Sequence, residues 1–250
     1  MRTLVVVPTY EEANNLGQAL SRARASLPDA TLLVVDDSSP DGTADVADAS
    51  AKELGQIHVL RRPAKSGLGS AYRSGFAWGI NEGYEILCQM DADLSHDPAA
   101  LPSLVGPVAA DTADMVIGSR YVPGGSIPHW PRYRRALSKY GNRYAALMLG
   151  FDVRDATAGF RAYRADTLKA VDYAATRSRG YGFQIETCYR VWQWGGRILE
   201  VPIAFTDRVR GESKMSLAVA VEELSLVSWW GVRDLLRGLR HPGARRGSSA

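Results

Sequence analysis

Two carboxylates one residue apart end an apolar run in Leu87-Cys88-Gln89-Met90-Asp91-Ala92-Asp93-Leu94-Ser95-His96-Asp97-Pro98. An unpartnered acidic pair is too costly to be ordinary core. If residues 84–90 form a strand, Asp91 and Asp93 stand at its C-terminal end, where open α/β sheets place their ligands. Two such oxygens in a turn can hold one Mg²⁺ or Mn²⁺, hard cations that also take water and phosphate oxygens. The structural alternative is an Asp-rich turn capping a helix that starts near Pro98. Other acids sit after earlier apolar runs, at Glu11 and Glu12 and at Asp36 and Asp37. Phosphates could approach so many carboxylates only with a divalent cation between them. Without a metal, the same oxygens accept from the N–H and O–H groups of a base and a ribose.

The elements that must position these groups alternate. Short β-branched or leucine-rich runs at residues 3–7, 31–35, 57–60, 85–90 and 115–118 read as strands. Between them, residues 11–27, 41–54, 64–79 and 98–110 repeat apolar side chains at helical spacing. Alternation of this kind predicts βαβ units, hence an α/β fold with a mostly parallel central sheet flanked by helices. Thr9, Asp36 and Asp37, Asp91 and Asp93, and Ser119 and Arg120 then gather at one sheet edge. The glycines Gly67, Gly69 and Gly75 do not have the G-x-G-x-x-G spacing of a dinucleotide loop, and no Walker lysine motif is present.

After Gly118 the texture changes. Residues 119–133 hold three prolines and read as a long loop, with Trp130 exposed and a candidate for lipid contact. Residues 134–149 predict a helix, and 155–161 a polar turn that an Asp155–Arg161 ion pair could hold. A short element and a helix from Asp166 follow. Residues 183–194 predict a helix whose start Gln184 and Glu186 could cap. Residues 198–205 predict a strand kept at an edge by Pro202, and 206–216 a charged loop. His96 has no second histidine at ligand spacing and reads as a turn residue. Trp192 and Trp194 read as packing residues.

Residues 217–239 form the last predicted helix, amphipathic, with Arg233, Arg237 and Arg240 in a basic stripe near Trp229. A membrane-interfacial helix has this pattern, and so has a helix packed on the domain. Residues 241–250 have too little to bury and are expected to be disordered. The division expected is a catalytic domain over 1–216, an interface helix over 217–240 and a tail.

The chain has 250 residues, 30 basic and 27 acidic, unevenly spread: 8 basic and 16 acidic up to residue 118, 22 basic and 11 acidic beyond it. The basic half implies an anionic partner, phosphate or a membrane surface. Nucleic acid is disfavoured, because stacking aromatics interleaved with arginines are confined to residues 130–144. Cys88 and Cys188 lie in apolar surroundings and read as free core thiols of a reducing compartment. No signal peptide and no spanning helix are expected.

In order along the chain stand Pro8-Thr9-Tyr10-Glu11-Glu12, Asp36-Asp37-Ser38-Ser39-Pro40-Asp41-Gly42-Thr43, the Asp91–Pro98 stretch and Gly118-Ser119-Arg120-Tyr121. They are followed by Asp155-Ala156-Thr157-Ala158-Gly159-Phe160-Arg161, Gly182-Phe183-Gln184-Ile185-Glu186, and Val201-Pro202-Ile203 with Asp207-Arg208, Gly211 and Ser213-Lys214. In this set the chain resembles the GT-A glycosyltransferases of family 2, more narrowly the dolichyl (polyprenyl) phosphate mannose synthases, from residue 3 to about 216.

The resemblance implies a GT-A fold with a nucleotide-sugar half over 1–118 and an acceptor half over 119–216. Pro8, Tyr10, Glu12 and Asp37 would face the nucleotide. Asp91 and Asp93, with Ala92 between them, would hold Mg²⁺ or Mn²⁺ against the diphosphate. Ser95 stands where some members have glutamine as a third ligand. Arg120, Arg134, Ser138, Arg208 and Lys214 would receive the lipid and donor phosphates, with Arg208 and Lys214 acting in catalysis. The implied reaction is inverting transfer of mannose from GDP-mannose to polyprenyl phosphate at the cytoplasmic face of a membrane, with an integral membrane protein as a further partner for 217–240. A UDP-glucose-dependent enzyme of the same fold is the neighbouring reading.

Overall fold

The first strand, β1 (Thr3–Thr9), is buried over Leu4–Val7, as β-branched residues covered on both sheet faces require. In the computed structural model, residues 1–236 are described apart from 177, 179, 181 and 207–216, with 217–223 as backbone. β1 pairs in parallel with β2 (Thr31–Asp36) on one side and β4 (Ile86–Gln89) on the other. β3 (Ile57–Arg61) lies outside β2, and β5 (Met115–Ser119) and β7 (Ile198–Pro202) pair in parallel at the far end. The element left unspecified after residue 161 is β6 (Arg161–Arg164), antiparallel to both β4 and β5. The seven-stranded order is β3-β2-β1-β4-β6-β5-β7.

Because β6 runs backwards, its first residue lies at the edge where the parallel strands end. Arg161 pairs in register with Gln89 of β4 and Ile117 of β5. The turn before β6 is thereby delivered to the same edge as Asp91 and Asp93.

Helices α1 (Ala13–Ser26), α2 (Thr43–Leu54) and α4 (Leu101–Ala109) cover one face. Helices α3 (Leu68–Asn81), α5 (Arg132–Leu149), α6 (Ala165–Ala170) and α7 (Gly182–Trp194) contribute to the core on the other. The glycines of α3 serve this packing. A Cβ on Gly75 would overlap Val6 and stand 3.3 Å from Val35 Cγ2; one on Gly79 would stand 2.5 Å from Leu4 and Leu87. Gly75→Ala is therefore expected to cost about 1–3 kcal/mol through overpacking, read as a lower midpoint in denaturant.

Four expectations are corrected. Trp130 is 7% exposed, its ring edge-on to Phe205 at 5.6 Å between centroids, because the loop folds back over the sheet end. α5 begins at Arg132, two residues early, since Pro131 before it already holds the φ of −55° that a helix entry needs. β7 stops at Pro202, which cannot donate to a ladder; it is an edge strand as expected, and Ala204 and Phe205 make isolated bridges to Ser126 and His96. Asp155 and Arg161 are both buried but do not pair with one another. Arg161 instead donates to the carbonyls of Ala156, Ala158 and Gln184 at 2.6, 2.6 and 2.7 Å, pinning the turn to α7. Cys88 and Cys188 are buried and unbridged, and burial pushes both thiols up to about 12.

Candidate active site

The acidic pair is not a helix cap. That task falls to Asp97, whose Oδ1 accepts from the Ala99 amide at 3.0 Å. Asp91 is half-buried, and its Oδ1 accepts from the Tyr72 hydroxyl at 3.1 Å. Burial, then the Asp91 charge, hold the Tyr72 phenol well above its ordinary value, so it stays a donor. Asp93 is buried, and its Oδ1 accepts from the Ser95 amide at 3.0 Å. Between them Ala92 is buried, and Leu94 takes φ +62° to turn the chain so sharply. Glu11 at φ +58° and Ser38 at +55° do the same after β1 and β2. Left-handed backbone at non-glycine residues is strained, and such strain gathers at functional sites.

His96 is a turn residue, as its isolation in the sequence implied. Its ring stacks on Phe160 at 4.9 Å, and its Nδ1 accepts the Asp91 amide at 3.3 Å. Ser95 is buried, and its carbonyl accepts from Thr206 at 3.2 Å. Thr206 is the last described residue before 207–216, so Arg208 and Lys214 lie outside the described residues.

At the β1 and β2 ends, Pro8, Tyr10, Glu12 and Asp37 are brought together with two cations absent from the sequence reading. Lys65 lies 3.7 Å above the Tyr10 ring. Arg62 bonds Asp37 Oδ1 at 2.7 Å, while Ser66 N donates to Oδ2 at 3.0 Å. Glu12 Oε2 accepts from Asn15 at 3.1 Å. Asp36 is structural: Thr9 and Ser39 bond it at 3.0 and 2.6 Å.

On the basic side, Arg120 and Asp155 form a buried bidentate pair, Nε to Oδ2 at 2.7 Å and Nη2 to Oδ1 at 2.6 Å. Nη2 also reaches Thr157 Oγ1 at 2.7 Å. Asn142 of α5 joins the cluster, donating to Thr157 Oγ1 at 3.1 Å and to the Ser138 carbonyl at 3.0 Å. The Arg134 guanidinium lies 4.1 Å over Trp130, whose ring is 5.6 Å from Arg120. Arg120, Arg134 and Ser138 thus belong to one assembly, but Arg120 is largely committed to its aspartate.

Sequence reading gave no role to Arg62, Lys65 or Tyr72, whose partners Asp37, Tyr10 and Asp91 follow other strands; it quoted Gly159 and Gln184 within motifs and weighed Gln184 as a cap. An acidic pair on one side and arginines on the other suit a reaction at a phosphorylated, metal-held substrate.

Comparison with known proteins agrees with this architecture. The model of Glycosyl transferase family 2 matches residues 4–172. The chain is 50% identical over 240 residues to an undecaprenyl-phosphate mannosyltransferase of Micrococcus luteus, covering 96% of this chain and 98% of that one. It is 47% identical over 236 residues to a polyprenol monophosphomannose synthase of Mycolicibacterium smegmatis, covering 94% and 89%. Among solved structures it resembles a mannosyltransferase of Pyrobaculum calidifontis in complex with GDP-Man and Mn²⁺, with TM-score 0.59 and 17% identity over 99% of this chain and 76% of that one. That last likeness concerns the fold alone.

Proposed function

Because the chain belongs to Glycosyl transferase family 2, and is a glycosyltransferase, we propose that it transfers mannose from GDP-mannose to a polyprenyl (dolichyl-type) phosphate with inversion at the anomeric carbon. The observation that carries this reading is the 50% identity, across 96% of the chain, to a relative named for mannose and undecaprenyl phosphate. The site chemistry supports it. A phosphate oxygen of the acceptor attacks C1 of mannose, the bond from C1 to the diphosphate oxygen breaks, and GDP leaves. The attacking oxygen is already anionic, so no strong general base is needed. His96, committed through Nδ1 to the Asp91 amide, is accordingly free of that duty.

Asp91 and Asp93 would hold Mg²⁺ or Mn²⁺, with the buried Ser95 beside them. The donor set fits the hard-cation preference, two carboxylates one residue apart whose Oδ1 atoms are held by Tyr72 and the Ser95 amide. Diphosphate oxygens and water would complete the shell, as these cations prefer. Such an ion neutralises charge on the departing diphosphate. Tyr72 orients Asp91, so Tyr72→Phe is expected to weaken Mn²⁺ affinity by roughly 10- to 100-fold, measured by Mn²⁺ titration in the presence of GDP. Arg134 and Ser138 would meet the lipid phosphate, Arg120 would fix that wall through Asp155, and Arg208 and Lys214 would stabilise the leaving group.

The acceptor implies a membrane. No helix among the described residues is long and apolar enough to cross one. α5 exposes Tyr133, Leu137, Tyr140 and Leu147, the last at 76%, at helical spacing among exposed Arg132, Arg135, Lys139 and Arg143. α8 (Leu217–Leu236) packs beside it, with Tyr144 and Ser228 hydroxyls 2.7 Å apart, and exposes Trp229, Val232, Leu235 and Leu236. Both helices together form the apolar, basic-flanked face of a peripheral protein on an anionic cytoplasmic leaflet or against a membrane protein.

The test is transfer to a short polyprenyl phosphate from GDP-mannose and UDP-glucose in parallel, with Mn²⁺ and with EDTA, on anionic vesicles. Mannose transfer lost on chelation is expected. Glucose transfer would move the donor assignment, and no transfer from either would sink the acceptor.

A further inference from the structure

Gln184 stands at the start of α7, and its side chain has no structural task. It is 1% exposed, yet among the described residues neither Nε2 nor Oε1 has a hydrogen-bond partner. A buried primary amide with both ends unmet is unusual, because desolvating donor and acceptor without replacement opposes folding. The residue is nonetheless held firmly, since Arg161 Nη1 donates to its carbonyl at 2.7 Å. It does not cap the helix in the sense the sequence allowed.

The amide lies beside Gly159. A Cβ added there would stand 3.7 Å from Gln184 Nε2, 3.6 Å from Asp91 Oδ2 and 3.6 Å from His96 Cε1. The amide and the Asp91 carboxylate therefore border the same small space, which the missing side chain of residue 159 leaves open. The amide offers one acceptor and two donors. A pair of vicinal hydroxyls, each able to donate and accept, matches that set.

We propose that Gln184 is a specificity-determining residue that hydrogen-bonds hydroxyls of the hexose being transferred, in the space between Gly159 and Asp91. The proposal rests on the reading of the site as one for a nucleoside diphosphate sugar. It assigns to Asp91 and Asp93 the diphosphate end and to Gln184 the sugar end of the same substrate. A site built around a hydroxyl rejects analogues lacking it, because its own polar groups are then left unpaired.

Calorimetric binding of GDP, GDP-mannose, UDP and UDP-glucose, each with Mn²⁺, tests this with wild type, Gln184→Met and Gln184→Leu. Met and Leu both keep most of the volume without the amide, and Leu guards against a folding failure peculiar to Met. For both variants, Mn²⁺-dependent GDP affinity is expected to stay within about twofold, while the extra affinity contributed by the sugar is lost. The kcat/KM for mannose transfer is expected to fall by roughly 10²-fold. Deoxymannose donors lacking the hydroxyl that Gln184 reads should be poor for wild type and no poorer for Gln184→Met than GDP-mannose itself.

Equal losses for GDP and GDP-mannose would mean a structural role and overturn the proposal. So would wild-type kcat/KM in Gln184→Met, or a wild type that binds neither sugar nucleotide more tightly than its nucleotide. If UDP-glucose shows the Gln184-dependent increment and GDP-mannose does not, the residue's role stands and the mannose reading fails.

Discussion

Asp93→Asn is expected to reduce mannose transfer by about 10³-fold or more while leaving the fold intact. The two effects separate because the residue has two tasks. Its Oδ1 accepts the Ser95 amide, closing the turn through Leu94. An asparagine oxygen can accept the same bond, so the turn survives. The negative charge, the part a divalent cation needs, does not. EDTA on wild type should reproduce the loss, and excess Mn²⁺ should recover more activity in wild type than in the variant. Transfer and thermal midpoint measured on the same preparation decide the matter. Transfer within about tenfold of wild type would remove Asp93 from any metal-holding role.

The largest stability effect is expected at Asp155. Asp155→Ala should cost about 3–5 kcal/mol, since the Arg120 guanidinium is then left buried without its counter-charge. For a chain of this size that corresponds to a fall of roughly 6–20 °C in melting temperature. The loss is larger than one ion pair suggests. Asp155 also accepts the Arg120 amide at 2.9 Å and the Thr157 hydroxyl at 3.2 Å, and through Thr157 it reaches Asn142 of α5. Arg120→Met combined with Asp155→Leu should recover much of the stability, because the costly part is the orphaned charge rather than the missing pair. Activity should not return with it. A destabilisation below about 1 kcal/mol in Asp155→Ala would show the pair to be dispensable.

The sheet was legible from residues 1–118 because its strands are short runs of Val, Ile and Leu separated by amphipathic helices, and local periodicity suffices for that. Beyond residue 118 it still finds α5, α7, β7 and α8, but not β6. β6 has only four residues, Arg-Ala-Tyr-Arg, and no hydrophobic period; it is a strand because β4 and β5 lie on either side to bond it. Trp130 looked exposed because prolines and glycines surround it, yet Phe205, Arg120 and Arg134 converge on it from three separate segments. Asp155 and Arg161 looked like partners because they are six residues apart, but each found a better match elsewhere. Asp91 and Asp93 were legible as candidates because acid at the end of an apolar run has few structural uses. Gln184 was not, since an unpaired amide is visible only once its surroundings are known.

The reversal of β6 also sets the order in which the enzyme can be assembled. On the ribosome, β1 to β5 emerge first, but β4 and β5 are not neighbours; the strand that joins them is made later. Until Arg161–Arg164 arrives, each keeps an open edge that any passing strand could occupy. Closing the gap demands a long loop and is entropically late. When it happens, the same Arg161 that sits at the join also grips Ala156, Ala158 and Gln184. The strand that joins β4 to β5 is thus also the one that ties the 156–158 turn to α7, so the sheet closes and the wall beside Asp91 is fixed through a single side chain.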